Sequence, residues 1–167
     1  IAFLNTVILA FCGYFIFMVP LNIKSSEPVS PARAVEFIKI NGLKGNLLTS
    51  FNWGSYALWK LYPQCLVFED GRYEEVYFNE SDADLDNFMY NKKNWKDIFQ
   101  KYHHDIILVK NDPELLNRIK SLKTWKIVYQ DIFSAVFIPN LIKKDKWILP
   151  EKNINYDKTK YLNNIDF

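Results

Sequence analysis

The chain has 167 residues, 49% hydrophobic and 17% aromatic, which excludes a disordered segment, whose sparse large side chains could not offset the entropy of ordering. Its 21 Lys+Arg against 19 Asp+Glu leave a net charge of +2, too small for a strongly basic nucleic-acid binder. Five glycines and seven prolines exclude collagen-like or linker-like material, and two cysteines suffice neither for a disulfide scaffold nor for a four-thiolate zinc site.

No charged residue precedes Lys24, and Ile1 to Val19 reads IAFLNTVILAFCGYFIFMV with Pro20 after it. As a helix those residues would rise about 28 Å, close to the roughly 30 Å hydrocarbon thickness of a bilayer. Asn5, Thr6, Cys12 and Tyr14 are side chains that a neighbouring helix can satisfy. Tyr14, Phe15 and Phe17 approach the end where an aromatic belt lies. The run therefore predicts a transmembrane helix over 1–20. A cleaved signal peptide would need a basic start and a small-residue cleavage site, which are missing, and a buried core helix would be long for its kind. Because the chain starts at Ile1 rather than Met, the expectation is the last span of a longer membrane protein. Charge does not orient it, since no preceding flank offers a Lys/Arg comparison.

Residues 21–29 read as a linker containing Ser-Ser-Glu-Pro, and 30–139 as one domain. Ser30 can cap a helix with Pro31 at its first position; Val35, Phe37 and Ile38 give it an apolar side and Gly42 stops it. Leu47–Phe51 is an apolar run of strand length, Trp53–Leu61 a second helix ended by Pro63, and Cys65–Phe68 a strand of the kind buried on both faces. A helical region spans about Asp82 to Tyr102, interrupted at Asn91-Lys92-Lys93-Asn94. Asp105–Val109 is another buried strand, and Asp112 with Pro113 opens a helix carrying Leu115, Leu116, Ile119 and Leu122. Trp125–Tyr129 and Phe133–Ile138 close the domain as an antiparallel hairpin joined at Gln130-Asp131-Ile132. This order predicts an α/β fold with three layers, a mostly parallel sheet of about five strands and an antiparallel edge hairpin. Residues 140–167 read as a tail, flexible or loosely docked from about 150, with Trp147-Ile148-Leu149 as its anchor.

Three stretches carry a resemblance: Gly45-Asn46-Leu47-Leu48-Thr49-Ser50-Phe51-Asn52-Trp53-Gly54-Ser55-Tyr56-Ala57-Leu58-Trp59; Pro63 with Val67-Phe68-Glu69-Asp70-Gly71-Arg72; and Trp125-Lys126-Ile127-Val128-Tyr129-Gln130-Asp131. Over residues 30–139 the chain resembles the C-terminal extracytoplasmic domain of polytopic bacterial membrane proteins related to GT-C type glycosyltransferases, which use lipid-linked sugars. In that family N-x-W/F-G-G-Y-L-x-W precedes a strand and then D-G-R. Here Ser55 stands at the second glycine and Glu69 precedes the D-G-R. The resemblance implies a bacterial inner-membrane location, with this domain on the extracytoplasmic side. It also implies that the catalytic carboxylate lies in an early outer loop of the parent, so no residue of this chain inherits that role.

Asn52-Trp53-Gly54 and Asp70-Gly71-Arg72 both follow predicted strands, placing them at the carboxyl ends of a parallel sheet, where open α/β folds bind ligands. Arg72 suits a phosphate or carboxylate, Asp70 suits sugar hydroxyls, and Trp53 or Tyr56 offers a flat face. The same residues fit a structural role: Asn52 as a helix cap, Gly54 for close packing, Asp70-Gly71 as a tight turn, and Arg72 paired with Asp70 or Asp131. The ligand-binding candidates are therefore Asn52, Trp53, Tyr56, Asp70, Arg72 and Asp131.

The acids Glu69, Asp70, Glu74, Glu75, Glu80, Asp82, Asp84 and Asp86 read as a solvated loop and a favourable helix start. Asp82–Asp86 lacks the glycine and terminal glutamate of an EF-hand. Adjacent His103 and His104 would point to opposite faces of a strand, which disfavours a shared metal, and Cys12 and Cys65 lie too differently placed for a mutual disulfide. No metal site, cofactor or catalytic residue is expected, nor a G-x-S-x-G, P-loop, H-E-x-x-H or G-x-G-x-x-G motif.

The expected function is an accessory extracytoplasmic domain of a multi-span glycosyltransferase-like protein that assists acceptor or glycan recognition. Its expected partners are the lipid bilayer, the parent's other transmembrane helices and a glycan or lipid-linked sugar, without nucleic acid. The alternatives are a non-enzymatic membrane-anchored structural or protein-binding module, and an independent soluble enzyme whose first helix is core.

Overall fold

The computed structural model describes residues 31–72 and 79–150. The expected transmembrane helix and linker, and the tail beyond Pro150, lie outside them. Among the described residues no helix is long and apolar enough to cross a membrane.

The first helix, α1 (Ala32–Ile40), has Pro31 at its N-cap, one residue later than the sequence reading had it. Gly42 closes it at φ +64°, a backbone conformation that a Cβ disfavours. Strand β1 (Gly45–Thr49) leads into α2 (Phe51–Leu61), then β2 (Cys65–Val67). The helix cap here is Ser50 rather than Asn52, and Phe51 belongs to the helix instead of the strand. Next come α3 (Asn79–Met89) and α4 (Asp97–Lys101), separated by the break expected around 91–94. Two asparagines, Asn91 and Asn94, take positive φ there, a conformation asparagine tolerates better than most residues. Strand β3 (Ile106–Lys110), helix α5 (Pro113–Ser121) and the strands β4 (Trp125–Gln130) and β5 (Ser134–Pro139) complete the order. Asp112 caps α5, accepting a hydrogen bond from the Leu115 amide at 2.8 Å.

The strands form one sheet in the order β2-β1-β3-β5-β4. The pairs β2–β1 and β1–β3 are parallel, whereas β5 runs antiparallel between β3 and β4. Four strands thus point one way, and the sheet is mixed but mostly parallel. Alternation along each strand sends side chains to both faces. Leu47, Ile106 and Leu108 pack with Ala34, Phe37, Ile38, Trp53 and Ala57 under α1 and α2. Leu48, Ile107 and Val109 pack with Leu85, Phe88, Ile98, Leu116 and Ile119 of α3, α4 and α5. Burial on both faces is why β1 and β3 read as unbroken apolar runs.

The hairpin carries one irregularity. Ile127 pairs with Phe137 and Tyr129 with the next residue along, Val136, so Val128 is an extra residue. That bulge turns both Val128 and Tyr129 toward α1, where the Tyr129 ring stacks on Phe37 with centroids 4.8 Å apart. Trp147 lies 5.5 Å from the same Phe37 ring, and Ile148 exchanges backbone hydrogen bonds with the Asn41 side chain at 2.8 and 2.9 Å. Both hold the stretch after β5 on the domain.

Candidate functional site

The motif residues meet where α2 crosses the chain leaving β2. A Cβ added at Gly54 would lie 2.0 Å from the Glu69 carbonyl oxygen and 2.9 Å from the Asp70 Cα. Only a residue without a side chain lets the helix lie this close to another backbone. The Ser55 hydroxyl, in the position where the family pattern has its second glycine, accepts from the Gly71 amide at 2.9 Å. Asp70 is buried at 2% exposure, and its carboxylate receives the Arg72 guanidinium as a fork, Nε to Oδ1 at 3.0 Å and Nη2 to Oδ2 at 2.8 Å, plus the Arg72 amide at 3.0 Å. Paired hydrogen bonds of this kind fix a turn as well as a ligand would.

Trp53 is buried in the core beneath α2, and Tyr56 packs at that core's margin with its ring 6.2 Å from Trp59. Asp131 sits four strands away, in the β4–β5 turn. There Oδ1 accepts from the Phe133 and Ser134 amides at 2.9 and 2.8 Å, and Oδ2 from the Tyr129 hydroxyl at 2.8 Å. Arg72 therefore pairs with Asp70, and Asp131 is a turn-holding residue of its own. Of the six candidates, Asn52 lines an open cavity, whose lining does not include the other five.

That cavity, about 600 Å³, is a crevice at the carboxyl edge of the sheet. It follows from the winding. β1 and β3 are adjacent, but the helix after β1 packs on one face and the helix after β3 on the other. The two chains part at the strand ends and leave a gap, the position where open α/β sheets bind ligands. Ser50 and Asn52 form one wall, Lys110 and Asp112 the next, Asp82, Asp86 and Tyr90 of the α3 region a third, and Glu114 and Arg118 of α5 the last.

The crevice is polar and acidic, with Asp82, Asp86, Asp112 and Glu114 against Lys110 and Arg118. Arg118 is committed to the wall: its Nη1 donates to the Phe88 carbonyl at 2.7 Å and its guanidinium lies 5.8 Å from the Trp95 ring. Burial lowers its pKa, opposed by Asp112 and Glu114. Lys92 bonds Asp86 at 3.3 Å from the rim. Such mixed donors and acceptors suit a polar, hydroxyl-rich ligand. Among the described residues no group of three His, Cys, Asp or Glu is placed to hold a metal ion.

Behind the acidic wall lies Glu69, fully buried. Burial pushes its carboxyl up to about 7, Asp82 and Asp86 add to the rise, and the Ser81 hydroxyl opposes it. Ser81 does so without good hydrogen-bond geometry, since neither carboxylate oxygen makes a well-formed hydrogen bond. The two histidines part company: His103 is exposed on Asp105 at 2.9 Å. His104 is buried between the Phe68 and Phe99 rings, and burial lowers its pKa to about 4. Cys65 is a buried thiol pushed up to about 11 by desolvation, which makes it unreactive.

The crevice residues beyond Asn52 were missed because they come from three further segments. One signal was available: Lys110 and Asp112 directly follow a buried strand, the same position that singled out Asn52. No protein-family model matches the chain, and neither a curated protein nor a solved structure matches it.

Proposed function

We propose that this chain is the accessory extracytoplasmic head of a multi-span membrane protein related to GT-C glycosyltransferases, and that it holds part of a glycan acceptor while transfer occurs in the membrane-embedded part of the parent. The observation that carries the reading is the crevice at the β1–β3 strand ends, opened by Asn52 of the Asn52-Trp53-Gly54 stretch and rich in hydroxyl-binding acceptors. The apolar run Ile1–Val19 and the D-G-R turn agree with it.

A second reading, a structural or partner-binding module without a glycan site, is favoured by the Gly54–Asp70–Arg72 clasp, whose polar groups serve the fold itself. Paired substitutions in the full-length parent separate the two. Asn52→Ala with Asp86→Asn removes crevice contacts but leaves the clasp intact. On the first reading it weakens acceptor affinity about tenfold at unchanged thermal stability, as expected for one or two lost polar contacts. Unchanged transfer and affinity would leave only the structural role. The upstream gene is a further check, because a parent with a single span would remove the glycosyltransferase reading.

A further inference from the structure

The edge of the sheet opposite the crevice carries a different surface. After β5 the chain runs Leu141-Ile142-Lys143-Lys144-Asp145-Lys146-Trp147-Ile148-Leu149 along the amino edge, where β1 and β4 begin. Asn140 bonds the Thr124 and Lys123 carbonyls just before β4, Lys126 Nζ reaches the Ile142 carbonyl, and Ile148 and Lys144 are held by Asn41 in the α1–β1 turn. Although the strip is fastened along its length, Leu141 is 92% exposed, Ile148 55% and Leu149 68%. Interleaved with them, and on the neighbouring segment, are Lys123, Lys126, Lys143, Lys144 and Lys146, against Asp145 alone within the strip.

The two edges thus differ in sign: acids predominate around the crevice, and lysines with exposed aliphatic side chains along 141–149. Fixed apolar side chains among lysines match an anionic lipid surface, where the aliphatic groups enter the headgroup boundary and the ammonium groups meet phosphate. An acidic crevice is repelled from the same surface. We propose that the amino edge, through residues 141–149, rests on an anionic phospholipid surface, turning the crevice away from the lipid. The inference rests on the reading that the chain is held at a bilayer.

The chain path permits it. Arg33, in the first turn of α1, acts electrostatically on Tyr129 near the end of β4, so the chain enters the domain at the carboxyl edge. Eleven residues, 20–30, separate the apolar run from Pro31, and extended they span up to about 40 Å. A strand of five or six residues is only about 20 Å long, so the connection can pass from the bilayer to the far edge.

The test is hydrogen exchange on the full chain in nanodiscs of phosphatidylcholine alone and of phosphatidylcholine with 30% phosphatidylglycerol. The attraction of one lysine to an anionic surface is worth about fivefold, so amides of 141–149 should exchange at least about fivefold more slowly in the anionic discs. The difference should vanish at 0.5 M salt and in Lys143→Glu/Lys146→Glu, while core amides of β3 keep their protection and report an intact fold. Equal exchange in the two lipids overturns the proposal and assigns the strip to another cover, such as residues 151–167 or a second copy. Failure of the chain to enter either disc instead removes the anchored reading beneath it.

Discussion

Replacing Glu69 by glutamine should make the domain more stable at neutral pH, and by an amount that depends on pH. Glu69 ionises near 4.5 when unfolded and at about 7 when folded, so the folded state holds a proton that the unfolded chain has lost. Between those values stability falls as pH rises, and above about 7 the whole penalty applies. At roughly 1.4 kcal/mol per pH unit, the upper bound is about 3 kcal/mol. His104 works in the opposite direction: with its folded pKa lowered from 6.5 to about 4, it adds stability as pH rises across that window. From about 4.5 to 6.5 the two slopes nearly cancel, and the native protein should show a flat profile there. Glu69→Gln removes one slope. Thermal unfolding of the full chain in mild detergent should then show a Tm that climbs from pH 4.5 to 6.5. At pH 7.5 it should exceed the native Tm by up to about 12 °C, using roughly 4 °C per kcal/mol for a domain of this size. A variant whose profile parallels the native one would refute the reasoning, because Glu69 would then not be a buried, protonated carboxyl.

Gly54→Ala should destabilise the domain by about 2 kcal/mol in urea unfolding, since the clash with the Glu69 and Asp70 backbone outweighs the roughly 1 kcal/mol gained in helix propensity. Asp131→Ala should cost about 2–3 kcal/mol by the same assay, because it strips partners from two amides and a tyrosine hydroxyl; asparagine should recover part of that. Arg72→Ala should cost about 3 kcal/mol in urea unfolding, because it takes the guanidinium fork from the buried Asp70 carboxylate, and calorimetric titration should find acceptor affinity unchanged. Asp112→Ala removes the α5 cap and should lower stability by about 1 kcal/mol in thermal unfolding.

Much of the fold is written locally. β1 and β3 are apolar without alternation because both their faces are covered, and a Pro after an Asp marks the start of α5 wherever the helix later packs. The helix break at 91–94 is equally local, since asparagines there accept positive φ. Small errors arose where two caps compete: Ser50 and Asn52 can each start α2, and the helix begins directly after Ser50.

Residue type and spacing alone determined that the chain alternates helix and strand around a mostly parallel sheet, and that strand ends would gather its polar residues. Only the tertiary structure decided which of those residues share a cavity. Asp70 and Arg72 satisfy each other, Asp131 closes a distant turn, and Asn52 instead faces acids from α3 and the α5 segment. The physical reason is that a crevice arises where successive helices leave opposite faces of the sheet. Strand order and the faces the helices cover set that divergence, and neither is carried by any short stretch of chain.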